Sequence, residues 1–214
     1  MARLTIPVGQ VSVQLIDDDR ICKSIISGKP FEPDSLMAWS EICKPGSSVI
    51  DVGAYSGLFS ISASKLGVYR VIAIEPMSVM VRRLKYNIEI NGAKNIYVIE
   101  AAASDKAGVA RIGYNDEVHL TSGASILRKS RASMEVSTVS LDEIKYHDVS
   151  VIKIDVERYE MNVLKGAMKL IDKCKPKLLV EVLDDAARTK VEMFLSDYRT
   201  VAFLDNRNIL MEPA

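Results

Sequence analysis

The residues of this 214-residue chain whose types and spacing could do chemistry are acids that follow apolar runs. Asp51 lies in VIDVGAYSGLFS (49–60), just ahead of Gly53 and Gly57; Glu75 closes RVIAIE; Asp155, Glu157 and Glu160 follow VSVIKI. Val49, Ile50 and Val52 have the composition of a short buried strand, the glycines bracket a tight turn, and an apolar run resumes at Leu58. A strand, glycine turn and helix in that order place helix-start N–H groups and a carboxylate beside a small molecule at the strand's C-terminal edge.

The turn narrows the ligand class. A P-loop needs a lysine after its last glycine, and here Leu58 and Phe59 follow Gly57, which argues against a nucleoside triphosphate. A dinucleotide fingerprint needs a second glycine where Tyr55 stands, which disfavours NAD. What remains, D-x-G-x-x-x-G, is a wider turn without an anion cradle, and its acid suits a ligand that carries positive charge. S-adenosyl-L-methionine has a sulfonium, an ammonium and ribose hydroxyls but no phosphate. Glu75, at the end of the next strand-like run, can accept hydrogen bonds from both ribose hydroxyls. The plainer alternative is that Asp51 and Glu75 are strand-end acids capping neighbouring backbone N–H groups.

The elements that must position these acids alternate along the chain. The pattern predicts a helix over 34–43 with Asp34 as N-cap, strands at 48–52 and 70–74, and a helix over 58–66 between them. Val81, Leu84 and Ile88 share one helical face before Asn91-Gly92. Strands follow within 95–105, at 149–155 and at 176–183; Val163, Leu164, Ala167, Leu170 and Ile171 form a helical stripe. A helix over 186–195 precedes RTVAFL and NILM, which flank Asp205-Asn206-Arg207 as an edge hairpin. Short strands near 109–114 and 134–140 are also expected. Strands apolar on both faces and separated by helices imply a doubly wound α/β fold around a parallel sheet.

Composition excludes several classes. Lys plus Arg equals Asp plus Glu at 28 each, so no overall basic field draws the chain to nucleic acid or anionic membrane. Cys22, Cys43 and Cys174 are odd in number and widely spaced, which suits a reducing compartment. Apolar runs stay short of a membrane span, and the expectation is a soluble cytoplasmic protein.

The segments VIDVGAYSGLFS, IAIEP, AAASDKAG, VSTVSLDEI, VIKIDVERYEMNVLKGA and KLLVEV occur in an order and spacing that resemble the FkbM family of S-adenosylmethionine-dependent methyltransferases, over about residues 30–185. The resemblance implies a Rossmann-like class I methyltransferase: a doubly wound, mostly parallel seven-stranded sheet with a C-terminal antiparallel hairpin. It implies a methyltransferase domain over 31–214 with residues 1–30 as an extension packed on it. It also implies that Asp51, Gly53, Ala54, Tyr55 and Ser56 line the methionine part of the cofactor. Glu75, Pro76 and Met77 would meet ribose and adenine, Ala102 would touch the adenine edge, and Glu32 would reach the methionine ammonium. The family usually has Asn where Tyr55 stands and Gly where Arg158 stands.

Members mostly methylate hydroxyls of small molecules and sugars, so the expected acceptor is a small-molecule hydroxyl, with no nucleic-acid or membrane partner. Such a hydroxyl must lose its proton as the new bond forms, and Asp155 or Glu157 is the expected base or positioner. Asp155 as N-cap, with Glu157 and Glu160 favoured by a helix dipole, is the alternative. Carboxylates also suit a divalent metal, and none is assigned. His119 and His147 read as loop residues, and Leu127–Arg131 as a basic loop or flap that could meet an anionic substrate group. The run EPMSVMVRRLKYNIEINGAKN also resembles tRNA guanine-methyltransferases, which keeps an RNA base methyltransferase as one alternative; an inactive cofactor-binding partner protein is the other.

Overall fold

The computed structural model describes residues 2–16, 19–114, 124–126, 132–146 and 148–214. His119, His147 and Leu127–Arg131 lie outside the described residues. The chain opens with an antiparallel hairpin, β1 (Arg3–Val8) and β2 (Val11–Ile16), and a short helix, α1 (Arg20–Ile26). Then come α2 (Pro33–Ile42), β3 (Ser48–Val52), α3 (Leu58–Lys65), β4 (Arg70–Ile74), α4 (Ser78–Ile90), β5 (Ile96–Ile99) and β6 (Ala102–Ala103). β7 (Gly108–Tyr114) and β8 (Ala132–Val139) precede β9 (Val149–Ile154), α5 (Glu160–Lys165), α6 (Met168–Cys174) and β10 (Lys177–Glu181). The chain finishes with α7 (Asp185–Phe194), β11 (Tyr198–Leu204) and β12 (Asn208–Pro213).

The main sheet has seven strands in the order β11-β12-β10-β9-β3-β4-β5. All pair in parallel except β12, which runs antiparallel between β10 and β11. The closing hairpin therefore inserts its second strand into the sheet and leaves its first at the edge. Strand order reverses between β3 and β9, and doubly wound sheets open a crevice at the C-terminal ends of such a pair.

Each face of the sheet is buried, as the apolar strands require. Ile50, Val52, Ile152, Ile154, Leu178 and Val180 pack with Val163, Leu164 and Leu170. Val49, Val151 and Leu179 pack on the other side with Trp39, Leu58 and Ile61. The period of two puts Asp51 and Lys153, which are register partners, on this second side, together with the positions of Asp155 and Glu181 just beyond. The N-terminal hairpin lies here too, burying Ile6, Val8, Val13 and Leu15 in the same cluster. Asn91 ties it down by pairing with both backbone groups of Gln14 (2.9 and 2.7 Å).

Several local expectations are corrected. Asp34 is not the N-cap of α2. Pro33, fixed at a helical φ, starts the helix, Glu32 precedes it in a left-handed conformation (φ 42°), and the Asp34 and Ser35 N–H groups donate to the Asp205 carboxylate (3.1 and 2.7 Å). The stripe from Val163 to Ile171 is two helices, because Gly166 passes so close to the next segment that a Cβ there would lie 2.0 Å from the Ser104 carbonyl oxygen. The third strand breaks after Ile99, and β6 joins β8 and β7 in a separate three-stranded sheet.

Candidate active site

A cavity opens at the C-terminal ends of β3, β4 and β9, lined by Glu32, Gly53, Ala54, Tyr55, Glu75, Pro76, Met77, Ala102, Asp155 and Glu157. The structure thus gathers ten of the sequence-derived site residues around one space. It sets the other two, Asp51 and Ser56, behind the wall, fully buried and off the lining.

The glycine turn shapes one side. Gly53 has φ +80°, and a Cβ there would lie 1.8 Å from the Asp155 carbonyl oxygen, so only glycine lets the β3 turn pass this close to the end of β9. The Gly53 and Ala54 N–H groups both donate to the Ile74 carbonyl (2.9 and 3.0 Å), which closes the turn onto β4. Glu75 then fixes the rim: one oxygen accepts the Tyr55 N–H and the other the Met77 N–H, both at 3.0 Å. Burial pushes the Glu75 carboxyl up to about 7 despite these two bonds. Tyr55 holds a left-handed backbone (φ 51°), and its hydroxyl accepts the Arg20 N–H at 3.4 Å. Met77, Met80, Ala102, Ile112 and Val136 form an apolar cluster on this side, joined by Tyr55, Ala124 and Ile126.

The opposite side is ionic. Lys153 projects from β9 with 3% exposure, donates to Asp155 Oδ2 at 3.0 Å and packs 4.6 Å from the Phe59 ring centroid. Burial works against its charge, but Asp155, Asp51 and Glu32 outweigh that and hold the ammonium above the ordinary lysine value. Burial likewise disfavours the Asp155 carboxylate, and Lys153 reverses this, lowering it below its usual range. Asp51 accepts Ser60 Oγ–H at 2.6 Å, has a second oxygen with no partner among the described residues, and is raised by burial. Glu32 is also raised by burial; Asn208 donates to it at 3.3 Å and Arg207 sits 3.9 Å away. Arg207 in turn grips Glu181.

Strand geometry does not persist past Asp155, so Asp155 and Glu157 are not placed by simple alternation. Glu157 (φ 53°) and Arg158 (φ 77°) are both left-handed. The loop is pinned by Ser125 Oγ, which donates to the Glu157 carbonyl (2.6 Å), and by Glu160, which accepts the Arg158 N–H (2.9 Å). Asp155 is not the cap of α5, where the N-cap position is Tyr159; Glu160 does lie in the first turn. Arg158 turns out toward Asp184 (2.7 Å), and Glu157 lines the cavity. Sequence reading missed Lys153, Glu181 and Arg207. The signal for the first two was a charged residue inside an otherwise apolar strand, VIKI and LLVE.

Among solved structures, a methyltransferase FkbM from Methylobacillus flagellatus KT aligns with TM-score 0.56 at 21% identity, covering 79% of this chain and 44% of that one. An rRNA methylase from Streptococcus thermophilus aligns with TM-score 0.56 at 11% identity, over 84% and 96%. At these identities the likeness is one of fold. The ribosomal protein L11 methyltransferase of Streptococcus pneumoniae (strain 70585) is 35% identical over 123 residues, 53% of this chain and 38% of that protein. The chain therefore spans well under half the length of this curated relative. The family model for the methyltransferase FkbM domain matches residues 51–206, the greater part of the chain. The chain belongs to the FkbM family of S-adenosylmethionine-dependent methyltransferases.

Proposed function

We propose that this protein transfers a methyl group from S-adenosyl-L-methionine to a hydroxyl of a small molecule or sugar, using residues 31–214 as the methyltransferase domain. The observation that carries this reading is the pairing of Glu75, whose oxygens are aimed by two backbone N–H groups, with an acidic far wall made by Glu32 and Asp155. Each Glu75 oxygen keeps a spare lone pair for a ribose hydroxyl, and the apolar Met77–Ala102 side suits a flat base. Bound there, the cofactor supplies a methyl carbon on a cationic sulfur. Glu32 binds its ammonium. Asp155, held as an anion by Lys153, is a weak proton acceptor and serves to orient the acceptor hydroxyl. Glu157 then takes the hydroxyl proton.

The names of the relatives favour a second reading, methylation of a ribosomal protein or of rRNA. The equal counts of acidic and basic residues weigh against an RNA acceptor. Calorimetry with S-adenosylhomocysteine tests the cofactor: Glu75→Ala should weaken binding roughly 10- to 100-fold, since it removes hydrogen bonds to a charged group. Transfer of labelled methyl from S-adenosylmethionine to hydroxylated small molecules and sugars, set against ribosomal protein and rRNA, tests the acceptor. Label only in ribosomal protein or RNA overturns the hydroxyl reading, and cofactor binding with no release of S-adenosylhomocysteine in the presence of any of these acceptors points to an inactive partner.

A further inference from the structure

Asp155 and Glu181 stand side by side at the C-terminal ends of neighbouring parallel strands, β9 and β10, directly after the register partners Ile154 and Val180, and the pleat turns both to the same face of the sheet. Glu181 is 1% exposed. Each acid has a cation on its outer flank: Lys153 donates to Asp155 Oδ2, and Arg207 grips Glu181 Oε1. That leaves Glu181 Oε2, which is buried and has no hydrogen-bond partner among the described residues. Buried polar atoms are normally paired, and an ionised carboxylate offers only acceptors. Two ionised carboxylates here would face one another acceptor to acceptor, out of water. A proton on Oε2 turns the clash into a donor–acceptor pair and leaves Oε1 free to accept from Arg207.

We propose that Glu181 is a positioning residue: it keeps a proton on Oε2 and donates it to Asp155, so that the two acids carry one negative charge, fixed on Asp155 at the cavity. With Lys153 donating to its other side, the Asp155 carboxylate plane is set by two donors rather than one. The charged groups around the pair are Lys153 and Glu157 on and after β9, Arg207 from the β11–β12 turn, Glu32 before α2, Asp51 on β3, Glu75 after β4 and Glu160 at the start of α5. Their balance agrees with the geometry. Burial, then the Asp155 charge, push Glu181 up to about 8 against the pull of Arg207. The proposal rests on the methyl-transfer reading only for what Asp155 is used for.

The test is a carbon-13 NMR titration of side-chain carboxyls in the unliganded protein. A glutamate signal with a midpoint near 8 is expected; Glu181→Gln should remove it, and Asp155→Asn should move it down by at least about one pH unit, a tenfold change in proton affinity. A Glu181 signal that titrates in the ordinary range, near about 4.3, would mean that the residue is a plain ion-pair partner of Arg207 and would overturn the proposal. So would a midpoint that Asp155→Asn leaves in place. Should Glu181→Gln not fold, the wild type and Asp155→Asn still decide it. Because the cofactor is absent from this experiment, the shared proton can fail while homocysteine-product binding succeeds, and the reverse.

Discussion

The two walls of the cavity are built on different physics. The β3–β4 wall is made by backbone: a glycine that tolerates φ +80°, two N–H groups on one carbonyl, and Glu75 held by two more N–H groups, all within residues 51–77. The β9–β10 wall is made by charge, with Lys153, Asp155, Glu181, Arg207 and Glu32 brought from four separate segments. A backbone-built wall fixes shape and is indifferent to pH apart from Glu75. A charge-built wall fixes potential, and its members hold each other's protonation states.

The largest effect should come where the walls touch. Gly53→Val puts a side chain into the Asp155 carbonyl and forces a β-branched residue to φ +80°, so a loss of about 3–5 kcal/mol is expected in urea unfolding. A variant with the wild-type midpoint would mean that the walls are not in contact. Lys153→Met removes the cation that Asp155, Asp51 and Glu32 share, and should cost about 3 kcal/mol at pH 8. The sign with pH follows from Asp155: its lowered folded value contributes stability above the unfolded value near 3.9, lost as pH falls through the folded value. The gap between wild type and Lys153→Met should therefore close on acidification, and a gap constant with pH would put the lysine's role in packing on Phe59 instead.

Glu75 and Glu160, both raised to about 7 by burial, act in the opposite sense. Their folded forms, and that of Glu181, raised to about 8, bind protons more tightly than the unfolded chain, so stability should fall by on the order of several kcal/mol as pH rises from about 4.5 through 8 and level off above. Denaturation midpoints at pH 5, 6, 7 and 8 check this, and Glu75→Gln should flatten part of the slope. Smallest of all, Asp205→Ala removes the carboxylate that caps the first turn of α2 and should cost about 1 kcal/mol.

The same contrast explains what could be read in advance. The strands 48–52 and 70–74 and the glycine turn between them are visible because each is specified by adjacent residues: apolar runs, a φ-permissive glycine, a strand-end acid. That the strands run parallel follows from helices that must cross back over the sheet. Asp34 misled because a serviceable cap type was present locally, whereas the actual cap, Asp205, arrives from the far end of the chain. Asp51 was read as a ligand-facing acid, and the pleat turned it toward Ser60 and Lys153 instead. Lys153, Glu181 and Arg207 acquire their meaning only from one another, and no short window contains all of them.

The turn at Asp205–Asn208 reaches back across 171 residues to Asp34 and 176 to Glu32. During synthesis on the ribosome, the rim of the crevice that carries Glu32 must wait for residues 205–208 to emerge before it can settle. Contacts of such long sequence separation also slow refolding. A protein caught midway should thus own a finished β3–β4 edge while its acidic edge is still unassembled, and a protease that nicks the closing hairpin should disarm the crevice at a distance.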